Sequence, residues 1–175
     1  MKQNHHDTII SAITNHSDLE AGVYEGGLKI WECTQDLISF MCNEGINLKN
    51  KTILDLGCGI GIVGIFSLLQ GAYVYFQDYN PEVILSATIP NVFLNVGNVE
   101  NSMKTSKFYS GDWQSFLVLM KNDNIKFDFI LTSETIYNID NYNKLYAIFT
   151  NCLKENGVIY IAAKTHYFGV GGGLR

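Results

Sequence analysis

The sequence predicts an α/β fold in which one parallel sheet is covered by helices on both faces. Two observations predict it: short apolar runs alternate with helix-length segments along the chain, and a glycine-rich turn follows the first of those runs. A third sets the scale, since 175 residues suit one domain with its own core.

The elements follow in chain order. Residues 1–21 carry no firm periodicity and are expected to be a loosely held arm ahead of a single domain over 22–175. From Ile30 the positions Cys33, Leu37, Ile38 and Met41 recur at helical spacing and stop before Gly45, a residue suited to a helix C-terminus. Thr52–Leu56 is a short apolar run ending in Asp-Leu-Gly, hence a buried strand, and Ile62–Gln70 is a buried helix closed by Gly71. Tyr73–Phe76 is the next strand, after which Asn80-Pro81 opens a helix with proline in its first turn. The polar stretch Asn95–Thr105 is expected to be a loop. Lys107–Ser110, Phe127–Thr132 and Val158–Ala163 complete the strands, with helices at Asp112–Met120 and Asp140–Leu153 between them. This alternation makes βαβ units with right-handed crossovers.

Composition removes several function classes. The chain is 47% hydrophobic and 17% charged, which excludes disorder. No apolar run approaches the roughly 18 residues of a membrane helix, and the first residues lack the apolar region of a signal peptide. An intracellular protein without a membrane partner is therefore expected. The net charge is −5 and no basic stripe exists, so direct nucleic-acid binding is not expected. Cys33, Cys42, Cys58 and Cys152 form no CxxC pair and have no histidine near in sequence, so they read as reduced core residues and no metal site is expected.

The segment from Leu54 to Gly64, LDLGCGIGIVG, lies between the first strand and a helix, where open α/β sheets bind ligands. Gly59 to Gly64 satisfies the GxGxxG dinucleotide pattern, with Gly57, Gly59 and Gly61 serving the turn. Asp55 redirects that pattern. A carboxylate at the strand's end repels a pyrophosphate but suits a ligand that carries an ammonium and a sulfonium, so S-adenosylmethionine fits better than NAD. Asp78, 17 positions after Gly61 in Gln77-Asp78-Tyr79, stands where an acid accepts ribose hydroxyls. After the third strand, Gly111-Asp112-Trp113 offers a carboxylate to the adenine amino group and an indole to cover the ring. Helix capping by Asp78, Asn80 or Asp112 is compatible with these roles.

The order DLGCGIG, QDYN, GDW and TSETIY resembles the class I, seven-strand S-adenosylmethionine-dependent methyltransferases. The strings GVYEGGLKIWECT (22–34), LTSETIYN (131–138) and HYFGVGGG (166–173) narrow the resemblance to the eukaryotic protein-histidine N-methyltransferases that modify a large-subunit ribosomal protein. The resemblance implies a Rossmann-like fold, S-adenosyl-L-methionine as cofactor, and a histidine of a ribosomal protein methylated on its tele nitrogen. It implies that Ile30, Trp31, Glu32, Cys33 and Thr34 line the cofactor together with Gly57, Gln77 to Tyr79, Gly111 to Trp113, and Ser133. It places the protein in the cytoplasm or nucleus, and a monomer is expected. Asp112 stands where the family has Glu, which shortens its reach. The family's chains continue past YFGVGGG with a helix and two more strands, the last of them antiparallel. The expectation here is five strands in the order 3-2-1-4-5 without those antiparallel strands, in a C-terminally truncated member whose Val158–Ala163 strand is an uncovered apolar edge.

A histidine substrate is mostly neutral at pH 7 and needs a tautomer selector more than a strong base. Glu134 or the side-chain oxygen of Asn138 can accept one ring N–H, and Tyr137 can wall the ring. The loop from Phe168 to Gly173 is expected to close over the target peptide, with Tyr167, Phe168 and Gly169 as contacts, while His166 reads as structural. Three alternatives stay open on residues alone: a protein-lysine methyltransferase, a truncated module that binds without turnover, and a nicotinamide dehydrogenase.

Overall fold

The computed structural model describes residues 22–97, 99–169 and 171–174; the arm expected over residues 1–21 lies outside them. Five strands form one parallel sheet in the order β3-β2-β1-β4-β5, as expected. They are β1 (Thr52–Leu56), β2 (Tyr73–Asp78), β3 (Ser106–Ser110), β4 (Phe127–Ser133) and β5 (Leu153–Ala162). This is a Rossmann-like arrangement, without further C-terminal strands among the described residues.

The strand period of two splits the core across the sheet. Ile53, Val74, Phe76 and Leu131 pack with Leu37 and Met41 of α1 (Glu32–Asn43) and with Val63 and Leu68 of α2 (Ile62–Leu69). Leu54 and Ile130 face the other way, onto Phe116 and Met120 of α6 (Trp113–Asn122) and Leu145 and Ile148 of α7 (Tyr142–Cys152). Between β2 and β3 the chain runs through α3 (Pro81–Val83), a π turn (Ile84–Thr88), α4 (Ile89–Val96) and α5 (Val99–Thr105). Pro90 has no N–H to donate back along this helix, and the wide π turn just before it accommodates that loss.

Three expectations change. The stretch expected as a loop over Asn95–Thr105 ends α4 and forms α5. Its sequence lacks an apolar stripe, and an i,i+4 Lys104–Glu100 ion pair at 2.7 Å supports the turn instead. β5 begins at Leu153, five residues earlier than the apolar run, because Leu153 pairs with Phe127 and Val158 with Phe129, with a bulge between. Cys42 is exposed on α1 rather than in the core, while all four cysteines are free, as expected. The outer side of β5 has no neighbouring strand among the described residues, and Val158 and Ile161 are 39% and 40% exposed there.

α2 presses onto the sheet through Gly64. A Cβ on that residue would lie 2.2 Å from Phe76 Cε1 and 2.9 Å from Asp55 Oδ2. Gly64→Ala is therefore expected to lower the melting temperature by roughly 5–10 °C, the cost of overpacking a core of this size; differential scanning calorimetry checks it.

Candidate active site

The strands deliver their carboxyl ends to one side of the sheet, and a cavity of 630 Å³ opens there. Its walls include the glycine loop after β1, the end of β2, the start of α6 after β3, the turn after β4, and residues of the segment 22–31, which crosses the top as a strap. The strap is tied to the two residues that follow Asp78. Glu25 N–H donates to Asn80 Oδ1 (3.1 Å), Asn80 Nδ2 donates to Val23 O (2.8 Å), and the Tyr79 hydroxyl donates to Gly22 O (3.1 Å).

Asp55 and Asp78 occupy the floor, 3% and 4% exposed. Asp55 Oδ2 accepts the Gly64 N–H at 2.8 Å, so the carboxylate fixes the start of α2 as well as facing the cavity. Burial pushes it up to about 7, with the Gly64 bond opposing and the Asp78 charge adding to the rise. Asp78 Oδ2 accepts from Gly59 N (2.9 Å) and Oδ1 from Asn80 N (3.1 Å). Burial holds it up at about 6 against those bonds, and Glu25 adds repulsion. Gly59 must be glycine: its φ is +52°, and a Cβ would meet the strap's Gly27 carbonyl oxygen at 2.8 Å.

The residues after β2 and β3 divide their duties. Tyr79, Asp112 and Trp113 line the cavity, whereas Gln77 and Gly111 do not. Gln77 is wholly buried and works as a brace, donating to Gly111 O (2.7 Å) and accepting from Trp113 Nε1 (3.0 Å), so it sets the pose of the indole. Asp112 caps α6, accepting from Gln114 N (2.8 Å) and Ser115 N (3.2 Å). The Ser115 hydroxyl and those amides hold its carboxyl below the ordinary range.

The segment Ile30 to Thr34 is split in the same way. Ile30, Trp31 and Thr34 line the cavity. Trp31 Nε1 donates to Gly26 O (3.1 Å), Lys29 Nζ lies 4.9 Å from the indole centroid, and the Thr34 and Ser133 hydroxyls meet at 3.0 Å. Glu32 points away into an ion pair with Lys164 (3.2 Å), and the Cys33 side chain is buried, its thiol pushed up to about 12 by burial and by Glu134. Gly57 and Gly59 line the cavity; Gly61, at φ +86°, precedes α2 and does not.

At the far end stands Glu134, 7% exposed, with φ +58°, a conformation that non-glycine residues rarely adopt. The turn is held because its N–H donates to Ala162 O (2.9 Å) and Thr135 shares a hydroxyl bond with Thr132 (2.7 Å). One carboxylate oxygen accepts the Cys33 N–H at 3.4 Å and the other accepts the Tyr167 hydroxyl. Burial and that carboxylate push the Tyr167 hydroxyl far up, so it remains a donor. Tyr137 and Asn138 line the cavity beside Glu134, although Asn138 Oδ1 already accepts the Asp140 N–H (3.0 Å) as a cap.

The glycine-rich loop after β5 is docked on this turn. Gly172 N–H donates to Tyr137 O (2.9 Å), Tyr167 N–H to Gly172 O (3.0 Å), and Asn138 bridges Gly171. Tyr167 reaches Glu134 and packs edge-on to Tyr137, with ring centroids 6.4 Å apart. Tyr167, Phe168 and Gly169 lie outside the cavity lining, Phe168 being 91% exposed and edge-on to His166.

Sequence reasoning missed Glu25, Gly26, Gly27 and Lys144, all of which line the cavity. The bond from Glu25 to Asn80 spans 55 positions, and no local pattern announces such a contact. Among the described residues no cluster of His, Cys, Asp and Glu can hold a metal, and no helix is long and apolar enough to cross a membrane.

A family model described as lysine methyltransferase matches residues 14–168. A protein of Dictyostelium discoideum named histidine protein methyltransferase 1 homolog is 49% identical over 163 residues, covering 93% of this chain and 51% of that protein. The Bos taurus protein of the same name is 42% identical, covering 97% and 52%. The chain thus spans about half the length of the curated relatives it matches. Among solved structures, a SAM-dependent methyltransferase of Agrobacterium tumefaciens superposes with a TM-score of 0.61 at 14% identity, over 85% of this chain and 49% of that one.

Proposed function

The chain belongs to the methyltransferase family whose model is described as lysine methyltransferase, and from that premise we propose that it moves a methyl group from S-adenosylmethionine to a histidine ring nitrogen of a protein. One observation carries the reading: a single cavity joins Asp78, suited to a nucleoside, to the Glu134 carboxylate, suited to a ring N–H. The target class follows the 49% and 42% identical relatives, which are named for histidine. Lysine is the second reading, favoured by the family's own description. A large-subunit ribosomal protein is the proposed target, and cytoplasm or nucleus the proposed location.

The residues present fit the cofactor. Asp55 gives an acid at the cationic end, Asp78 one at the ribose, and the indole of Trp113, held by Gln77, a face for adenine. Glu25 Oε2, buried in the cavity wall, has no hydrogen-bond partner among the described residues and so awaits a donor. When bound, S-adenosylmethionine supplies an already activated methyl group. The protein's task is then alignment, which can be worth about 7–11 kcal/mol. Glu134, pinned by Cys33 N–H and the Tyr167 hydroxyl, keeps lone pairs open to accept one imidazole N–H. The other ring nitrogen then carries the free lone pair, and Tyr137 walls the ring.

Titration calorimetry with S-adenosylhomocysteine tests the reading: binding is expected, and thermal stabilisation by NAD is not. The pH dependence has a definite sign. Asp55 and Asp78, raised to about 7 and about 6, bind protons more tightly in the folded chain than in the unfolded one. Their ionisation therefore destabilises the free chain as pH rises between roughly 4 and 7. A ligand that gives hydroxyls and an ammonium to the ionised forms releases those protons. Its affinity is expected to be flat above about pH 8 and to fall below that, by up to about tenfold per pH unit for each proton released. Calorimetry in buffers from pH 5 to 8.5 checks this.

A further inference from the structure

We propose that Glu25 is a second carboxylate of the ribose subsite, its Oε2 accepting one hydroxyl of the bound nucleoside while Asp78 accepts the other. The proposal rests on the reading of this cavity as a S-adenosylmethionine site. It starts from acceptor capacity. Both oxygens of Asp78 already hold a backbone N–H, from Gly59 and from Asn80, which leaves a crowded acceptor for a diol with two donors.

Glu25 is built differently. Its Oε1 accepts the Gly22 N–H at 2.6 Å, which fixes the side chain, while Oε2 is buried and takes no hydrogen bond from any described residue. A carboxylate only accepts, so what completes it is a donor. Two features place that donor at the ribose. The strap that carries Glu25 is anchored to Tyr79 and Asn80, the residues immediately after Asp78, and Glu25 is close enough to Asp78 for their charges to repel. A diol shared between two such carboxylates removes the orphaned oxygen and gives each charge a donor. Lys144, which also lines the cavity, tempers the charge of Glu25. Asp55 holds the Gly64 N–H and Glu134 the Cys33 N–H and the Tyr167 hydroxyl, so each keeps its separate duty.

The test is titration of the full chain with S-adenosylhomocysteine and its 2′-deoxy and 3′-deoxy analogues, for wild type, Glu25→Gln and Asp78→Asn. Wild type is expected to lose about tenfold or more in affinity with each analogue, the scale of a hydrogen bond to a charged acceptor. Glu25→Gln is expected to bind S-adenosylhomocysteine about tenfold more weakly, and in that variant removing one of the two hydroxyls changes affinity less than threefold. That selective loss of sensitivity is a signature no folding defect produces. Wild-type chain that binds both analogues as tightly as the parent overturns the proposal, as does a Glu25→Gln variant that loses as much as wild type with both. No binding of S-adenosylhomocysteine by folded wild-type chain fails the underlying cofactor reading instead, and so separates the two failures.

Discussion

Replacing Asp78 by alanine is expected to weaken S-adenosylhomocysteine binding by a hundredfold or more. The side chain does three things at once. It is the buried acid at the end of β2 proposed to take the ribose, it holds the Gly59 N–H at 2.9 Å and so shapes the glycine loop, and it holds the Asn80 N–H at 3.1 Å where the strap is tied down. Hydrogen bonds to a charged group contribute about 1.5–3 kcal/mol each, so losing the ligand contacts and part of the loop geometry together exceeds a single tenfold step. Removing a buried charge also relieves desolvation and repulsion from Glu25, so the melting temperature is expected to move far less than the affinity. Calorimetry alongside thermal denaturation checks both, and wild-type affinity in a folded Asp78→Ala chain contradicts the site.

Glu134→Gln is expected to slow methyl transfer by about 10²–10⁴, the range for a positioned proton acceptor, with S-adenosylhomocysteine affinity changed less than threefold. The surroundings of Glu134 are donors: the Cys33 N–H and the Tyr167 hydroxyl both point at it. A glutamine has one acceptor oxygen where the carboxylate has two, so it turns its own N–H₂ toward one of those donors and no longer offers an open lone pair to the imidazole. Tyr167→Phe is expected to fall between the two, because it leaves Glu134 in place but releases one of its restraints. Its second readout is regiochemistry. A looser acceptor selects the ring tautomer less strictly, so the ratio of tele- to pros-methylhistidine should drop. Single-turnover rates and chromatography of hydrolysed product measure both effects.

Much of this was legible in the sequence because it is written locally. Thr52–Leu56, the glycine loop and Asp78 lie on one strand-turn-helix-strand unit, where apolar runs, glycines and acids stand at short fixed spacings. That the sheet is parallel follows from the same alternation, whereas the order 3-2-1-4-5 follows from the family resemblance. What is not legible lies in contacts between distant segments. The resemblance implies Gln77 as a cofactor residue beside Asp78; its side chain is turned by strand alternation off the cavity lining, toward Gly111 and Trp113. The bond from Tyr167 to Glu134, 33 positions back, goes with the docking of Gly172 on Tyr137 and has no local signal. The role of Glu25 has no local signature, because it depends on the bond to Asn80, 55 positions on. The α5 helix was missed since a polar segment without an apolar stripe carries no helical period to read.

Whether this cavity methylates histidine is decided by identifying the residue that carries the methyl group. The full chain would be incubated with methyl-labelled S-adenosylmethionine and large-subunit ribosomal proteins, the labelled protein hydrolysed completely, and the methylated amino acid identified. Label in tele-methylhistidine, absent with Glu134→Gln, is the result the structure leads to. Label in methyllysine, or wild-type labelling by the Glu134 variant, would contradict it.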